Sequence, residues 1–255
     1  MPQASLITFL IALIGLSLGS MATLVSYRLP RGMKVGMVRS QCTACRTPLG
    51  IRDLFPLLSW LAARGKCRHC GATISVRYPL IELATMAATL AVYFRYGVTP
   101  QAILLLLLSV CLMIMVVIDL EHYLLPDVIQ LLAAGLGIVY HLVTREVPMV
   151  NVFAGGLLGL LAGAALSRGY RFLKQQDGLG MGDVKFLGVA GLWLGPLMLP
   201  AFACYAGVLG ILLALLWRAT GRGRIFPFGP ALALALWMLV VLPETGAWFW
   251  QLFQL

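Results

Sequence analysis

Charge is what this sequence has least of. Only 11% of its 255 residues are Asp, Glu, Lys or Arg, against about 25% in an average soluble domain. So few charges cannot coat a globular core, which excludes an ordinary soluble enzyme. A 61% hydrophobic composition likewise excludes a disordered chain. Six cysteines in 255 residues are too few for a secreted disulfide scaffold. Acids are the scarcest charges: nine Asp and Glu face 19 Lys and Arg, for a net charge of +10. An acid beside an apolar run is therefore conspicuous. No Lys or Arg precedes the first apolar run, Ala4 to Tyr27, and that run is longer than a signal-peptide core, so it reads as a span.

What remains is apolar sequence in long runs. A bilayer core about 30 Å thick takes roughly 20 apolar residues per helix. Such segments cover residues 4–27, 79–94, 102–118, 128–144, 149–167, 184–195, 198–217 and 230–250. Pro196 and Pro200 punctuate one apolar tract and predict a turn between the sixth and seventh segments. Pro243 and Glu244 interrupt the eighth. The pattern predicts an all-α polytopic membrane protein of about eight transmembrane helices, with a small cytoplasmic zinc-knuckle domain inserted after the first. The expected division is a first transmembrane helix at 1–27, a four-cysteine zinc-binding domain at 28–78, and a seven-helix membrane core at 79–255.

The positive charges carry the orientation. Residues 28–78 hold ten of the 19 Lys and Arg, residues 168–185 hold four, and residues 218–229 hold three. With eight spans these loops share one side, leaving only Arg95 and Arg145 elsewhere. Positive loops mark the cytoplasm, so the N-terminus is expected outside. Anionic lipid and topology account for the basic charge, and no nucleic-acid motif accompanies it.

Cys42 and Cys45 form a Cys-x2-Cys pair, as do Cys67 and Cys70, with 21 residues between the pairs. That is the spacing of a two-knuckle structural zinc site. A cytoplasmic location disfavours the alternatives, two disulfides or unligated thiols. Four cysteines fill a tetrahedral shell, so the metal has no open position for catalysis. His69 sits between ligands and reads as an exposed loop residue. Cys111 and Cys204 stand alone in apolar spans and read as packing residues.

Two acids stand at span ends on the same expected side. Asp119 closes the third span, and Asp183 opens the sixth after Gly178-Leu179-Gly180-Met181-Gly182. Facing carboxylates can share acid and base work, one taking a proton from water while the other protonates the carbonyl oxygen or the leaving amine. Helix dipoles favour Asp183, at a helix N-terminus, as the charged base, and Asp119, at a C-terminus, as the neutral acid. Asp127, after Pro126, reads as a helix start. Glu121 and Asp177 read as solvated loop acids. Glu82, inside the second span, needs a partner such as Arg77 or a loop lysine, or a functional role. The glycines before Asp183 allow close backbone approach, by an extended peptide for instance, and equally suit a linker. They are no dinucleotide fingerprint, because no strand precedes them and the spacing differs. Gly155, Gly159 and Gly163 form a small-residue face for helix packing.

Taken together, these residues resemble the type IV prepilin peptidases of bacteria, over about residues 10–240. The matching pieces keep the family's order: Gly19-Ser20, Tyr27-Arg28-Leu29-Pro30, the two cysteine pairs, Pro56-Leu57-Leu58-Ser59-Trp60, Arg64-Gly65-Lys66-Cys67 and Arg77-Tyr78-Pro79 with Glu82. Ile118-Asp119, Leu125-Pro126-Asp127, Gly180-Met181-Gly182-Asp183-Val184-Lys185 and Pro227-Phe228-Gly229-Pro230 follow. Met21-Ala22-Thr23-Leu24 departs from the family's usual Phe-Leu-Asn-Val. Pro230-Ala231-Leu232 is also similar to the Pro-Ala-Leu of presenilin-like proteases, although a helix starting after proline is a common pattern.

The resemblance implies an intramembrane aspartic protease of the Gly-x-Gly-Asp type in the bacterial inner membrane. Asp119 and Asp183 would be its catalytic aspartates. It implies cleavage of prepilins or secretion pseudopilins after the glycine of a short basic leader. It further implies N-methylation of the new N-terminal residue from S-adenosylmethionine. The sequence points to no methyl-donor or substrate-binding residues. Two other readings are open to the residues alone. A proton-coupled transporter would use Glu82, Asp119 and Asp183, but calls for midplane acids and inverted repeats. A non-catalytic assembly protein would dock partners on its zinc domain and tolerate loss of either aspartate.

Overall fold

The computed structural model describes residues 2–251 except 37–38, 176–177, 222 and 224. Every one of the eight apolar segments contains a helix. Helix is the element that satisfies a backbone inside lipid without outside partners. Among the described residues the only extended pairings are two isolated bridges, Gln41 with Pro48 and Lys66 with Thr73. The chain forms two compact units, divided between Gly97 and Val98.

The first unit holds α1 (Pro2–Arg28), the short α2 (Leu58–Ala62) and α3 (Arg77–Tyr96). Glycine lets α1 and α3 approach closely. A Cβ at Gly15 would stand 2.7 Å from the Met86 Cα, and one at Gly19 2.5 Å from the Glu82 Cα. The buried hydroxyls are bonded within their own helices. Thr23 donates to the Gly19 carbonyl at 2.8 Å, and Thr85 and Thr89 donate to the carbonyls four residues back at 2.8 Å each. Arg28 ends α1 almost fully buried, and its guanidinium donates to the carbonyls of Lys34, Val35 and Arg39.

The second unit holds α4 (Pro100–His122), α5 (Asp127–Thr144), α6 (Met149–Lys174), α7 (Met181–Leu194), α8 (Leu199–Ala219), α9 (Gly229–Val241) and α10 (Glu244–Gln251). Helix α4 starts cleanly: the Thr99 side chain accepts from the Ala102 N–H at 3.2 Å, and Pro100 follows the cap. It supplies much of the core, with Leu105, Leu108, Met115 and Ile118 fully buried. Helices α6 and α7 meet through the predicted small-residue face. Cβ atoms at Gly155 and Gly159 would overlap the carbonyl oxygens of Gly191 and Leu187, and one at Gly163 would touch the Val184 Cα at 3.2 Å. The turn expected at Pro196 is present: Gly195 takes φ +69° and a 3-10 turn over Pro196–Met198 leads into α8.

Among the described residues, five segments are long and apolar enough to cross a membrane: Ser5–Arg31, Pro100–His122, Asp127–Thr144, Met149–Lys174 and Pro196–Ala219. A sixth is the pair α9 and α10, bent by 97° at the break around Pro243. Helix α7, with 14 residues, reaches only about 21 Å at 1.5 Å per residue, short of a hydrocarbon core of about 30 Å. Helix α3 carries Glu82 and two arginines and is not among the five.

Candidate metal centre and carboxylate pair

The two cysteine pairs fold into near-identical knuckles. In the first, the Cys42 N–H donates to the Thr47 carbonyl at 2.9 Å and the Arg46 N–H donates to the Cys42 carbonyl at 2.9 Å. In the second, the Cys67 N–H donates to the Ala72 carbonyl at 2.8 Å and the Gly71 N–H donates to the Cys67 carbonyl at 2.9 Å. Each turn needs a left-handed residue after its second cysteine. Gly71 meets that at φ +72°, while Arg46 is forced into it at φ +57°.

All four sulfurs lie within 4.8 Å of one another, and those of Cys42 and Cys70 are 3.9 Å apart. A tetrahedral zinc with bonds of about 2.3 Å sets its sulfurs about 3.8 Å apart, so the donors fit that ion. Thiol chemistry also points to a cation. The Thr47 hydroxyl, 3.2 Å from Cys45 Sγ, and a backbone hydrogen bond from Thr47 lower that thiol to about 6. Cys70 rises to about 11: a backbone hydrogen bond at Ala72 lowers it, but burial and the neighbouring Cys45, Cys67 and Cys42 thiols outweigh that. Four thiolates this close repel, and a divalent ion at their centre reverses the repulsion. His69 is exposed and outside the sulfur cluster, as expected.

In the same unit Glu82 is buried. Its Oε2 accepts a 2.7 Å hydrogen bond from the Leu57 N–H, and the Ser20 hydroxyl also bonds the carboxylate. The partners are thus a backbone amide and a serine, in place of the expected Arg77 or lysine. Arg77 Nη2 donates to Ser26 Oγ at 2.8 Å. Gly19-Ser20, Pro56–Trp60 and Glu82, three separate sequence pieces, therefore meet at one point.

The second unit brings the two conspicuous aspartates together. Asp119 lies in the last turn of α4 and is 5% exposed. Its Oδ2 accepts a 2.7 Å hydrogen bond from the Gly229 N–H at the start of α9. Asp183 is the third residue of α7, half-buried, and its Oδ2 accepts from the Gly180 N–H at 3.3 Å. The charge of Asp119 bears directly on Asp183. Leu125, 5% exposed, is wedged between the two segments. A Cβ at Gly182 would stand 3.1 Å from the Leu125 Cβ, and one at Gly229 2.9 Å from its Cδ2. Four helix ends therefore converge: the C-terminus of α4 and the N-termini of α5, α7 and α9.

This geometry removes the basis for assigning acid and base by helix dipole. Asp119 does sit at the C-terminus of its own helix, but the N-terminus of α9 points a backbone N–H at it. Each carboxylate faces a helix N-terminus, so the dipoles no longer separate them. Pro230 both opens α9, as a common helix start does, and follows the residue that holds Asp119.

The other acids are peripheral. Asp127 opens α5, as expected, and also takes a two-pronged ion pair from Lys185 Nζ, at 2.7 and 2.8 Å, on an exposed surface. Glu121 lies 4.0 Å from the His122 ring, partly exposed. Asp177 lies outside the described residues. Sequence reasoning misses three neighbours of the pair. Gly229 and Leu125 enter it only as motif residues without a role, and Gln130 does not enter it at all. Gln130 donates from Nε2 to the carbonyls of Leu125 and Gly182.

Residues 13–96 match the Bacterial Peptidase A24 N-terminal domain, and residues 106–215 match the Type IV leader peptidase family. The four knuckle cysteines fall in the first match and both aspartates in the second. A Pseudomonas putida protein named prepilin leader peptidase/N-methyltransferase is 34% identical over 91% of this chain and 89% of its own length. One of the same name from Neisseria gonorrhoeae is 32% identical over 90% of this chain and 88% of its own length. A type 4 prepilin-like proteins leader peptide-processing enzyme from Escherichia coli is 36% identical over 79% of this chain and 75% of its own length. No solved structure matches the chain.

Proposed function

The chain belongs to the type IV leader peptidase family, and from that membership we propose that it cleaves the basic leader from prepilins or related pseudopilins after a glycine, then N-methylates the new N-terminus. The observation that carries the peptidase reading is the convergence of Asp119 and Asp183 around Leu125. We assign these two as the catalytic aspartates. A pair of carboxylates at short range holds one proton between them. The ionised member takes a proton from the attacking water, and the protonated member gives its own to the scissile carbonyl oxygen or the departing amine. The N–H of Gly229 holds Asp119 in place, and that of Gly180 holds Asp183.

Zinc in the four-cysteine site is structural: Cys42, Cys45, Cys67 and Cys70 would hold it with every position filled. S-adenosylmethionine is implied as methyl donor by the relatives' name. In the glycine-rich segment 178–182, Gly178 packs closely on the Tyr170 ring and Gly182 on Leu125. No residue is assigned to the donor and no step is drawn through it.

The chain is a membrane protein. We read eight crossings, with the 14-residue α7 accommodated by local thinning of the bilayer, the N-terminus outside, and the 28–78 domain and both aspartates at the cytoplasmic face of the inner membrane. Residues 79–255 then form the protease core. The asymmetry of Lys and Arg among the loops supports that orientation. The test of the mechanism is Asp119→Asn and Asp183→Asn, made separately and assayed on a substrate with a basic leader, Gly and Phe. Each normally inserted variant is expected to lose leader cleavage. Processing by either one refutes the two-aspartate mechanism.

A further inference from the structure

Gln130 lies in the first turns of α5 and is 3% exposed. Its Nε2 donates to the Leu125 carbonyl at 3.2 Å and to the Gly182 carbonyl at 3.3 Å. Both partners are carbonyl oxygens, which only accept, so the amide can sit only one way round. Its Oε1 is buried and has no partner.

The two carbonyls belong to the two sides of the carboxylate pair. Gly182 immediately precedes Asp183. Leu125 is the wedge that touches both Gly182 and Gly229, the residue whose N–H holds Asp119. Resting on the two-aspartate reading, we propose that Gln130 is a positioning residue for leader cleavage: its amide clasps the Leu125 and Gly182 segments and so sets the separation of Asp119 and Asp183. The clasp reaches the chemistry only through backbone. It touches neither carboxylate, and none of the motifs shared with the family contains it.

Separation matters because a displacement of about 1 Å in a reacting group costs on the order of a hundredfold in rate. The charged and titratable groups on the elements around the clasp are Asp119, Glu121 and His122 on α4, Asp127 and His141 on α5, and Asp183 and Lys185 on α7, while α9 carries none. Gln130→Met keeps the length of the side chain and removes both donors and the orphan acceptor. It is expected to lower kcat for leader cleavage by tenfold to a hundredfold, leave KM within twofold, and melt only a few degrees below wild type, the loss of the two bonds being partly offset by removal of the orphan acceptor. Gln130→Glu has a single donor, and only when protonated, so it regains one of the two bonds at low pH and its deficit against wild type is expected to shrink in part as pH falls. If Gln130→Met does not fold, that profile decides.

Three results overturn the proposal: kcat of Gln130→Met within twofold of wild type, a kcat loss that merely tracks lost melting temperature, or a Gln130→Glu deficit constant with pH. Asp119→Asn and Asp183→Asn, run alongside, separate the two levels. If either still cleaves, the mechanism itself fails. If both are dead while the Gln130 variants behave as wild type, only the clasp fails.

Discussion

Replacing Gly229 by alanine isolates the contact that holds Asp119. A Cβ at that position would lie 2.7 Å from Asp119 Oδ2, 2.9 Å from Asp119 Cγ and 2.9 Å from Leu125 Cδ2. Ordinary contact begins near 3.4 Å, so the carboxylate must withdraw by about 0.7 Å, and buried Leu125 leaves little room on the other side. Withdrawal stretches the 2.7 Å bond from the Gly229 N–H beyond useful length. A hydrogen bond to a charged group contributes about 1.5–3 kcal/mol. At about 1.4 kcal/mol per tenfold, that loss alone is a factor of roughly ten to a hundred. Misplacing a reacting group by nearly an ångström gives a similar figure. We therefore expect kcat for leader cleavage to fall by about ten- to a hundredfold. Stability should fall as well, by about 1–3 kcal/mol, because the crowded Cβ and the lost hydrogen bond outweigh the roughly 0.5–1 kcal/mol that alanine gains over glycine in a helix. The assay is single-turnover cleavage of a prepilin peptide by purified protein, with thermal melting alongside. Cleavage within twofold of wild type would refute the argument that this N–H positions Asp119.

The metal centre yields two further expectations. Purified protein should carry one zinc per chain, and Cys42→Ser or a strong chelator should remove it and lower the melting temperature of the first unit. Thiolates are needed for binding, so retention is complete at high pH and lost as pH falls. Release already complete at pH 7 would contradict the assignment of all four cysteines to the metal. Arg46→Gly relieves an exposed residue held at φ +57° and copies the Gly71 knuckle. It should raise stability by about 1 kcal/mol, read by denaturant melting, and an unchanged or lower midpoint counts against strain at that turn.

What was legible in the sequence, and what was not, follows from how each feature is specified. The knuckles are local: the residues that fold each one lie within six positions, so spacing alone locates the donors. The aspartates were legible for a different reason. In a chain so poor in acids, a carboxylate at the end of an apolar run carries its own signal. Their surroundings carry none. The donor to Asp119 is a backbone N–H 110 residues away, and backbone donors have no signature in composition. The wedge is a leucine among many. Gln130 is one amide within an apolar helix, and its second partner is 52 residues distant. The dipole assignment failed through the same blindness. Sequence shows which helix a residue belongs to, but not which other helix ends against it. Once α9 aims its N-terminus at Asp119, the field at that carboxylate is set by tertiary contact. Chemistry-bearing residues can thus be found by their rarity, whereas the groups that tune them are common residues distinguished only by position. It is those common residues, Gly229, Leu125 and Gln130, whose substitution tests whether the pair works as a pair.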